Sequence, residues 1–274
     1  MTTKAEFKSL LLSFAGGLAE QVSDVDGQWT IKGFIDVCRN VYTISSDTKI
    51  VSKILEIHLF PRILAFARSH GFALVLAKHQ NYYPDLSFVL AEDDTVKFAL
   101  DIKTTYRVRN KPWLCNGFTL GSHGEYFRDR TSGKNIQFPY GSYSGHFCLG
   151  VIYDRADGGM IDEVTCCPAD EIRSISSVIS RIQVLAVEKW KIAGDKSGSG
   201  NTANIGSIRR IDDILSENGM FCRLGEEWFD DYWMNYGAIT KRTKTGMQRI
   251  TSLSDFVEYR GGDVSLVTPR NNRK

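Results

Sequence analysis

NYYPDLSFVLAEDDTVKFALDIKTTY, residues 81–106, is the stretch whose reading decides the fold. Leu86 to Ala91 and Thr95 to Thr105 are two β-rich runs, and Glu92-Asp93-Asp94 between them is an acidic turn, so the spacing predicts a hairpin. Asp85 begins the first strand, and Asp101 and Lys103 lie on the second. Strand alternation turns Asp101 and Lys103 to one face, with Phe98 and Leu100 on the other. The hairpin thus brings Asp85 and Asp101 to one sheet edge. Two carboxylates that close repel unless a cation sits between them. Mg²⁺ suits such a pair, because it takes one or two carboxylates, keeps several waters and accepts phosphate oxygens. Lys103 can then stabilise developing charge, orient a nucleophile or help deprotonate it, and the spacing leaves all three roles open. The same pattern by itself also describes a solvated hairpin edge.

Around this hairpin, 274 residues with 42% hydrophobic and 24% charged side chains have the composition of a soluble globular protein, long enough for a sizeable core. The expectation is one unit spanning 1–274. A net charge of +2 neither requires nor excludes nucleic acid, since phosphate binding depends on local clustering. No apolar run approaches the roughly 18–20 residues that cross a bilayer. The N-terminal apolar stretch is too short for a secretory signal. Leu10, Leu11, Phe14 and Leu18 have helical spacing instead. The six cysteines form no CxxC pair, and adjacent Cys166 and Cys167 do not resemble a zinc site, so reduced thiols and a cytoplasmic location are expected.

Further from the hairpin, residues 28–37 read as a strand. Ser46 or Asp47 caps a predicted helix from Lys49 to Ser69, with apolar positions Ile50, Ile54, Ile57, Phe60 and Leu64. Pro61 should kink or divide that helix, and Gly71 ends it. His146 to Tyr153 reads as a strand, Ile182 to Lys191 as strand or helix, and Leu224 to Tyr236 as a helix. The tail from Thr268 reads as disordered. Without a βαβ rhythm, the fold class is α/β in the sense of an α+β mixed sheet. Gly198 to Ala203 fits the dinucleotide pattern GxGxx(G/A), but no βαβ unit surrounds it, and Lys196 precedes the glycines where a phosphate loop would place a lysine after them. A Gly/Ser linker is the plain alternative.

Pro84-Asp85 with Asp101-Ile102-Lys103 resembles the PD-(D/E)xK nuclease signature, and the flanks are similar to the EcoRV family of type II restriction endonucleases. The stretches that carry the resemblance are SDTKIVSKILEI (46–57), GFALVLAKHQNYYPD (71–85), ALDIKTTY (99–106), KNI (134–136), KWKIAGDKSGSGNTANIGSI (189–208) and DYWMNY (231–236). It implies a restriction-endonuclease-like core that hydrolyses double-stranded DNA with Mg²⁺ at a short palindrome, GATATC, as a homodimer. It further implies a cognate DNA methyltransferase as a system partner without a stable complex, and no membrane partner. Dimerisation elements are expected near 19–45, the catalytic core over 46–190, and the recognition loop and C-terminal DNA-binding part over 191–260.

On the same resemblance, Asp85 and Asp101 are metal ligands, Lys103 is the catalytic lysine, Glu56 is a further acidic residue at the site, and Ile102 offers its backbone carbonyl. Thr48, Lys49, Thr104, Thr105 and Lys134 match positions at the DNA backbone. Gly198, Ser199, Gly200, Asn201, Thr202 and Asn204 form a major-groove reader, with Gln80 and Asn81 in the minor groove. Asn201 suits the bidentate pair with adenine, a contact worth about 1–3 kcal/mol of discrimination. Departures are Ala203 for a threonine, His79 for a glutamine, and residues 241–245, whose Lys241, Arg242 and Lys244 are candidate phosphate partners or simply a solvated face. The competing readings are a structure-selective or repair nuclease of the same fold, a non-catalytic DNA-binding module, and a nucleotide-using metabolic enzyme.

Overall fold

Thr3 accepts a hydrogen bond from the Glu6 amide while the Glu6 carboxylate accepts from Thr3, a reciprocal cap that starts the first helix. The computed structural model describes residues 2–156, 165–198, 203–243 and 246–268. In chain order its elements are Lys4–Gly16 (α1), Leu18–Val22 (α2), Gly33–Ile35 (β1), Asn40–Thr43 (β2), Thr48–Ser69 (α3) and Phe72–Leu76 (β3). Leu86–Leu90 (β4), Asp93–Val108 (β5), Lys111–Cys115 (β6), Thr119–Ser122 (β7), Glu125–Arg128 (α4) and Gly145–Arg155 (β8) follow. Then come Cys166–Pro168 (β9), Ile179–Glu188 (β10), Ala193–Ser197 (β11), Asn204–Ser207 (β12) and Ile211–Leu215 (α5). Glu226–Met234 (α6), Thr240–Thr243 (β13), Gly246–Arg249 (β14) and Leu253–Tyr259 (α7) complete the order.

The central sheet runs β10-β8-β5-β4-β3, with β6 added along β5. β5 and β8 are parallel and the other pairs antiparallel, so the sheet is mixed. A parallel pair needs a long crossover, and residues 109–144 supply it. Alternation along β5 feeds two cores. Phe98, Leu100 and Ile102 join Phe7 and Leu11 of α1 and Val51, Leu55 and Leu59 of α3. Ala99 joins Phe118, Phe127 and Tyr140 of the crossover and Phe229 and Trp233 of α6. Phe7 stacks on Phe98 with ring centroids 4.1 Å apart, so Phe7→Ala should cost about 3–5 kcal/mol by cavity formation.

The hairpin of residues 86–105 forms as β4 and β5, and Asp47 caps α3 by accepting from the Lys49 and Ile50 amides. Pro61 does not divide α3, one of the two outcomes that the sequence reading expected. The helix runs unbroken through it, because Pro61 is exposed and the opposite stripe of Val51, Leu55, Leu59 and Ile63 is clamped in the core. That stripe also corrects the expected face, since Ile50 and Ile57 are exposed. Of residues 28–37 only Gly33–Ile35 is a strand, with Trp29 buried beside it. Ile182 to Lys191 is strand up to Glu188 and then a 3₁₀ turn, Lys189–Ile192. No helix among the described residues is long and apolar enough to cross a membrane.

Candidate active site

β4 and β5 pair as far as Leu86 opposite Leu100, and there they part. Proline has no amide hydrogen, so Pro84 cannot donate to the ladder. The Ile102 amide turns to the Asp85 side chain instead, whose Oδ2 accepts it at 2.9 Å, while the Asp85 amide donates to Asp101 Oδ1 at 3.1 Å. Lys103 Nζ lies 3.3 Å from Asp85 and 3.2 Å from Asp101. The carboxylates and the amine therefore meet where the two strands splay. β5 meanwhile continues, backed by β8 with Asp101 opposite Cys148 and Lys103 opposite Gly150.

Burial, opposed by Lys103 and reinforced by the Asp101 carboxylate, pushes Asp85 up to about 6. Burial also works against the charge of Lys103, but Asp101 and Asp85 outweigh it and hold the ammonium firmly protonated. A carboxylate held above its ordinary range by burial, with a second carboxylate beside it, is a site that a cation would relieve. Among the described residues, no cluster of three or more His, Cys, Asp or Glu side chains is placed to hold a metal ion. Two carboxylates with open coordination suit a hard, water-retaining cation such as Mg²⁺ better than a closed zinc-type cage.

In front of Asp85 and Lys103 opens a cleft of about 390 Å³, while Asp101 is buried and does not line it. Thr48, Ser52 and Glu56 line it from successive turns of α3, Thr104, Thr105 and Tyr106 from β5, and Asn116, Gly117 and Thr119 from the crossover. Glu56 faces the cleft with Asp85 but pairs with Lys53 at 2.8 Å. Thr105 is buried and its Oγ1 has no hydrogen-bond partner among the described residues. Lys49 and Lys134 are exposed and do not line the cleft. Lys134 pairs with Glu125 instead. Gln80 and Asn81 are exposed in the loop between β3 and β4.

The glycine-rich segment is neither a nucleotide loop nor a free linker at its ends. β11 and β12 are antiparallel, and Gly198 N donates to Asn204 O at 2.8 Å. A Cβ on Gly206 would stand 2.7 Å from the Lys196 carbonyl, so only glycine lets the two strands approach so closely. β12 also pairs with β7, and a Cβ on Gly198 would lie 3.2 Å from Thr119 Oγ1 at the cleft wall. Ser199, Gly200, Asn201 and Thr202 lie outside the described residues, as does Lys244. Lys241 pairs with Asp255, and Arg242 is exposed.

A family model described as restriction endonuclease EcoRV matches residues 25–261. The chain belongs to this family. It is 32% identical, over 251 residues, to the type II restriction enzyme EcoRV of Escherichia coli, an alignment covering 91% of this chain and 99% of that one. The protein is accordingly a type II restriction endonuclease, a hydrolase acting on DNA. The family match begins at residue 25, so α1 lies before it, although Phe7 is at the centre of one core.

Sequence reasoning missed part of this family member's cleft. Ser52 was within reach, since it falls one turn from both Thr48 and Glu56. Asn116, Gly117 and Thr119 were not, because only the return of the crossover beside β5 brings them in. Lys189 and Tyr83, both buried, carried no local signal either.

Proposed function

We propose that this endonuclease cuts both strands of duplex DNA at a short palindrome with Mg²⁺, using Asp85 and Asp101 as metal ligands and Lys103 as the catalytic lysine. The observation that carries the reading is that Lys103 touches both carboxylates within 3.3 Å, with Asp85 and Lys103 lining a polar cleft and Asp101 buried just behind them. The metal, when bound, lowers the pKa of a water and stabilises negative charge on the phosphate. The carboxylates orient the site, with the Ile102 carbonyl as a third oxygen donor. Lys103, in contact with both carboxylates, stands where it can stabilise the developing charge, orient the attacking water or help to deprotonate it. Thr105 directs a buried hydroxyl at a DNA phosphate, Thr48 and Thr104 flank it, and Glu56 contributes negative charge at the rim. Lys49 and Lys134 reach the DNA backbone from outside the cleft.

The hairpin of β11 and β12 carries residues 199–202, with Asn201 reading adenine in the major groove and Gln80 and Asn81 reading the minor groove. The site is GATATC. A palindrome calls for a twofold dimer, and the three-stranded sheet β1-β2-β9 offers a face for one. Phe34, Tyr42 and Cys166 lie opposite one another across it, all exposed, with Val37 fully exposed at the adjoining turn. A methyltransferase of the same specificity protects the host's own sites.

The test is to incubate the purified protein with plasmid DNA and Mg²⁺ and to sequence the fragment ends. Ends at GATATC are expected, and ends at any other sequence overturn the specificity. Asp101→Ala should remove cutting and leave dimerisation intact, and retained cutting in that variant rules out the assigned site.

A further inference from the structure

Lys189 is among the most deeply buried charged residues described, 3% exposed, and its Nζ has no hydrogen-bond or ion-pair partner among the described residues. It is enclosed by aromatic faces, 4.6 Å from the centroid of Tyr83, 5.4 Å from Tyr140 and 5.5 Å from Phe127. Gly121, at φ +88°, completes the box, because a Cβ there would stand 3.6 Å from the amine and 3.5 Å from the Tyr83 ring. Cation–π contact compensates part of the desolvation of an ammonium. Stability alone would still be served by an apolar side chain of the same volume. The retained charge points to another use.

Its neighbours indicate which. Tyr83 is two residues before Asp85 and is fixed on every side: its amide donates to Asn135 O, its carbonyl accepts from Gln137 N, and its hydroxyl lies 2.9 Å from His146 Nδ1. Lys189 opens the turn Lys189–Ile192 that leads directly into β11, the first strand of the glycine-rich hairpin. Gly121 belongs to β7, which pairs with β12, the second strand of that hairpin. Three segments therefore meet at one amine: the approach to Asp85, the root of β11, and the strand that supports β12.

We propose that Lys189 is a positioning residue for cleavage, its caged ammonium fastening the root of the glycine-rich hairpin to Tyr83 and through it to Asp85. Engagement of DNA by the hairpin is thereby felt at the acidic pair. Burial lowers the Lys189 pKa to about 8, with Asp101 pulling it back up, so the amine is mostly charged at neutral pH. The proposal rests on the reading of Asp85 as part of the catalytic site and of the hairpin as the base reader.

The test compares wild type, Lys189→Met and Asp85→Ala by thermal unfolding, by metal-free affinity for a duplex bearing the mapped site, and by single-turnover cleavage with Mg²⁺. A duplex with one base pair of the site changed is cut in parallel. Lys189→Met should match or exceed the wild-type Tm and bind DNA equally well. Its cleavage of the mapped site should fall on the order of tenfold, with a smaller fall on the altered site, so that discrimination narrows. A role in stability alone would lower Tm and leave the ratio of the two rates unchanged. Wild-type rate and ratio in folded Lys189→Met overturn the proposal, as does a lowered Tm with an unchanged ratio. If Lys189→Met does not fold, Phe127→Leu removes one wall of the cage and keeps the amine, and a wild-type ratio there is equally fatal. Asp85→Ala separates the two failures. Cutting by Asp85→Ala sinks the site reading and this inference together, whereas an inert Asp85→Ala beside a wild-type Lys189→Met sinks only the inference.

Discussion

Thr105 places a hydroxyl where the folded protein makes no use of it: the residue is buried, lines the cleft, and has no partner for Oγ1 among the described residues. A buried polar group without a partner costs about 1–3 kcal/mol, and on the proposed reading a contact made when DNA is present offsets that cost. Thr105→Val keeps the shape and removes the hydroxyl. The variant should unfold at the same or a higher urea midpoint and bind duplex DNA more weakly, by about 1 kcal/mol. A variant that loses stability but binds DNA normally would contradict this assignment. Asp85, Asp101 and Lys103 were readable from sequence because strand period and one turn bring them together. The contacts that hold them were only half legible. Pro84 entered the reading only as part of the signature, and nothing local showed that Asp85 itself accepts the Ile102 amide.

Among the elements, α3 shows how far pattern reading reaches. Its start was legible because Asp47 can do nothing better than cap it. Its buried face was misread, since apolar side chains run nearly all the way round and only the position of α1 and the sheet decides which are covered. Pro61 survives for the same reason, its missing hydrogen bond falling on the solvent side. The hairpin of β11 and β12 is the opposite case, with glycines visible in sequence and their purpose visible only in the pairing. Gly206 lies against the Lys196 carbonyl and Gly198 N, so Gly206→Ala must push the strands apart. We expect a loss of about 1–3 kcal/mol in urea unfolding. Cleavage should fall further than that loss explains, and become less selective between the mapped site and single-base variants. Unaltered selectivity would mean that the hairpin does not read bases.

For the whole molecule, two surfaces join parts that are distant in sequence. One is the exposed row Phe34, Tyr42 and Cys166. If it is the dimer face, Phe34→Asp should give monomers by sedimentation and lose concerted double-strand cutting, while a dimeric Phe34→Asp would place the interface elsewhere. The other is internal. Glu188, at the end of β10, has a nearly buried carboxylate that receives Lys4 at 2.8 Å, Lys191 at 3.0 Å and Lys8 at 3.1 Å. Lys4 also reaches Glu226 of α6, and Lys8 and Lys191 share Glu217, so the network ties α1 to both the sheet and the C-terminal elements. Burial would raise the Glu188 pKa, but Lys4, Lys191 and Lys8 more than reverse it and hold the carboxyl at about 2, below the ordinary 4.5. A depressed carboxylate stabilises the fold fully above its unfolded value and loses that contribution as pH falls through the folded one. Glu188→Gln should therefore cost about 2–3 kcal/mol at neutral pH, after allowance for solvent screening of the partly exposed lysines. Measured by urea unfolding in a pH series, the gap between wild type and Glu188→Gln should stay constant down to about pH 4.5 and close between there and pH 2. A gap that persists at pH 2 would mean that Glu188 acts by packing and that the three lysines do not hold the carboxylate ionised.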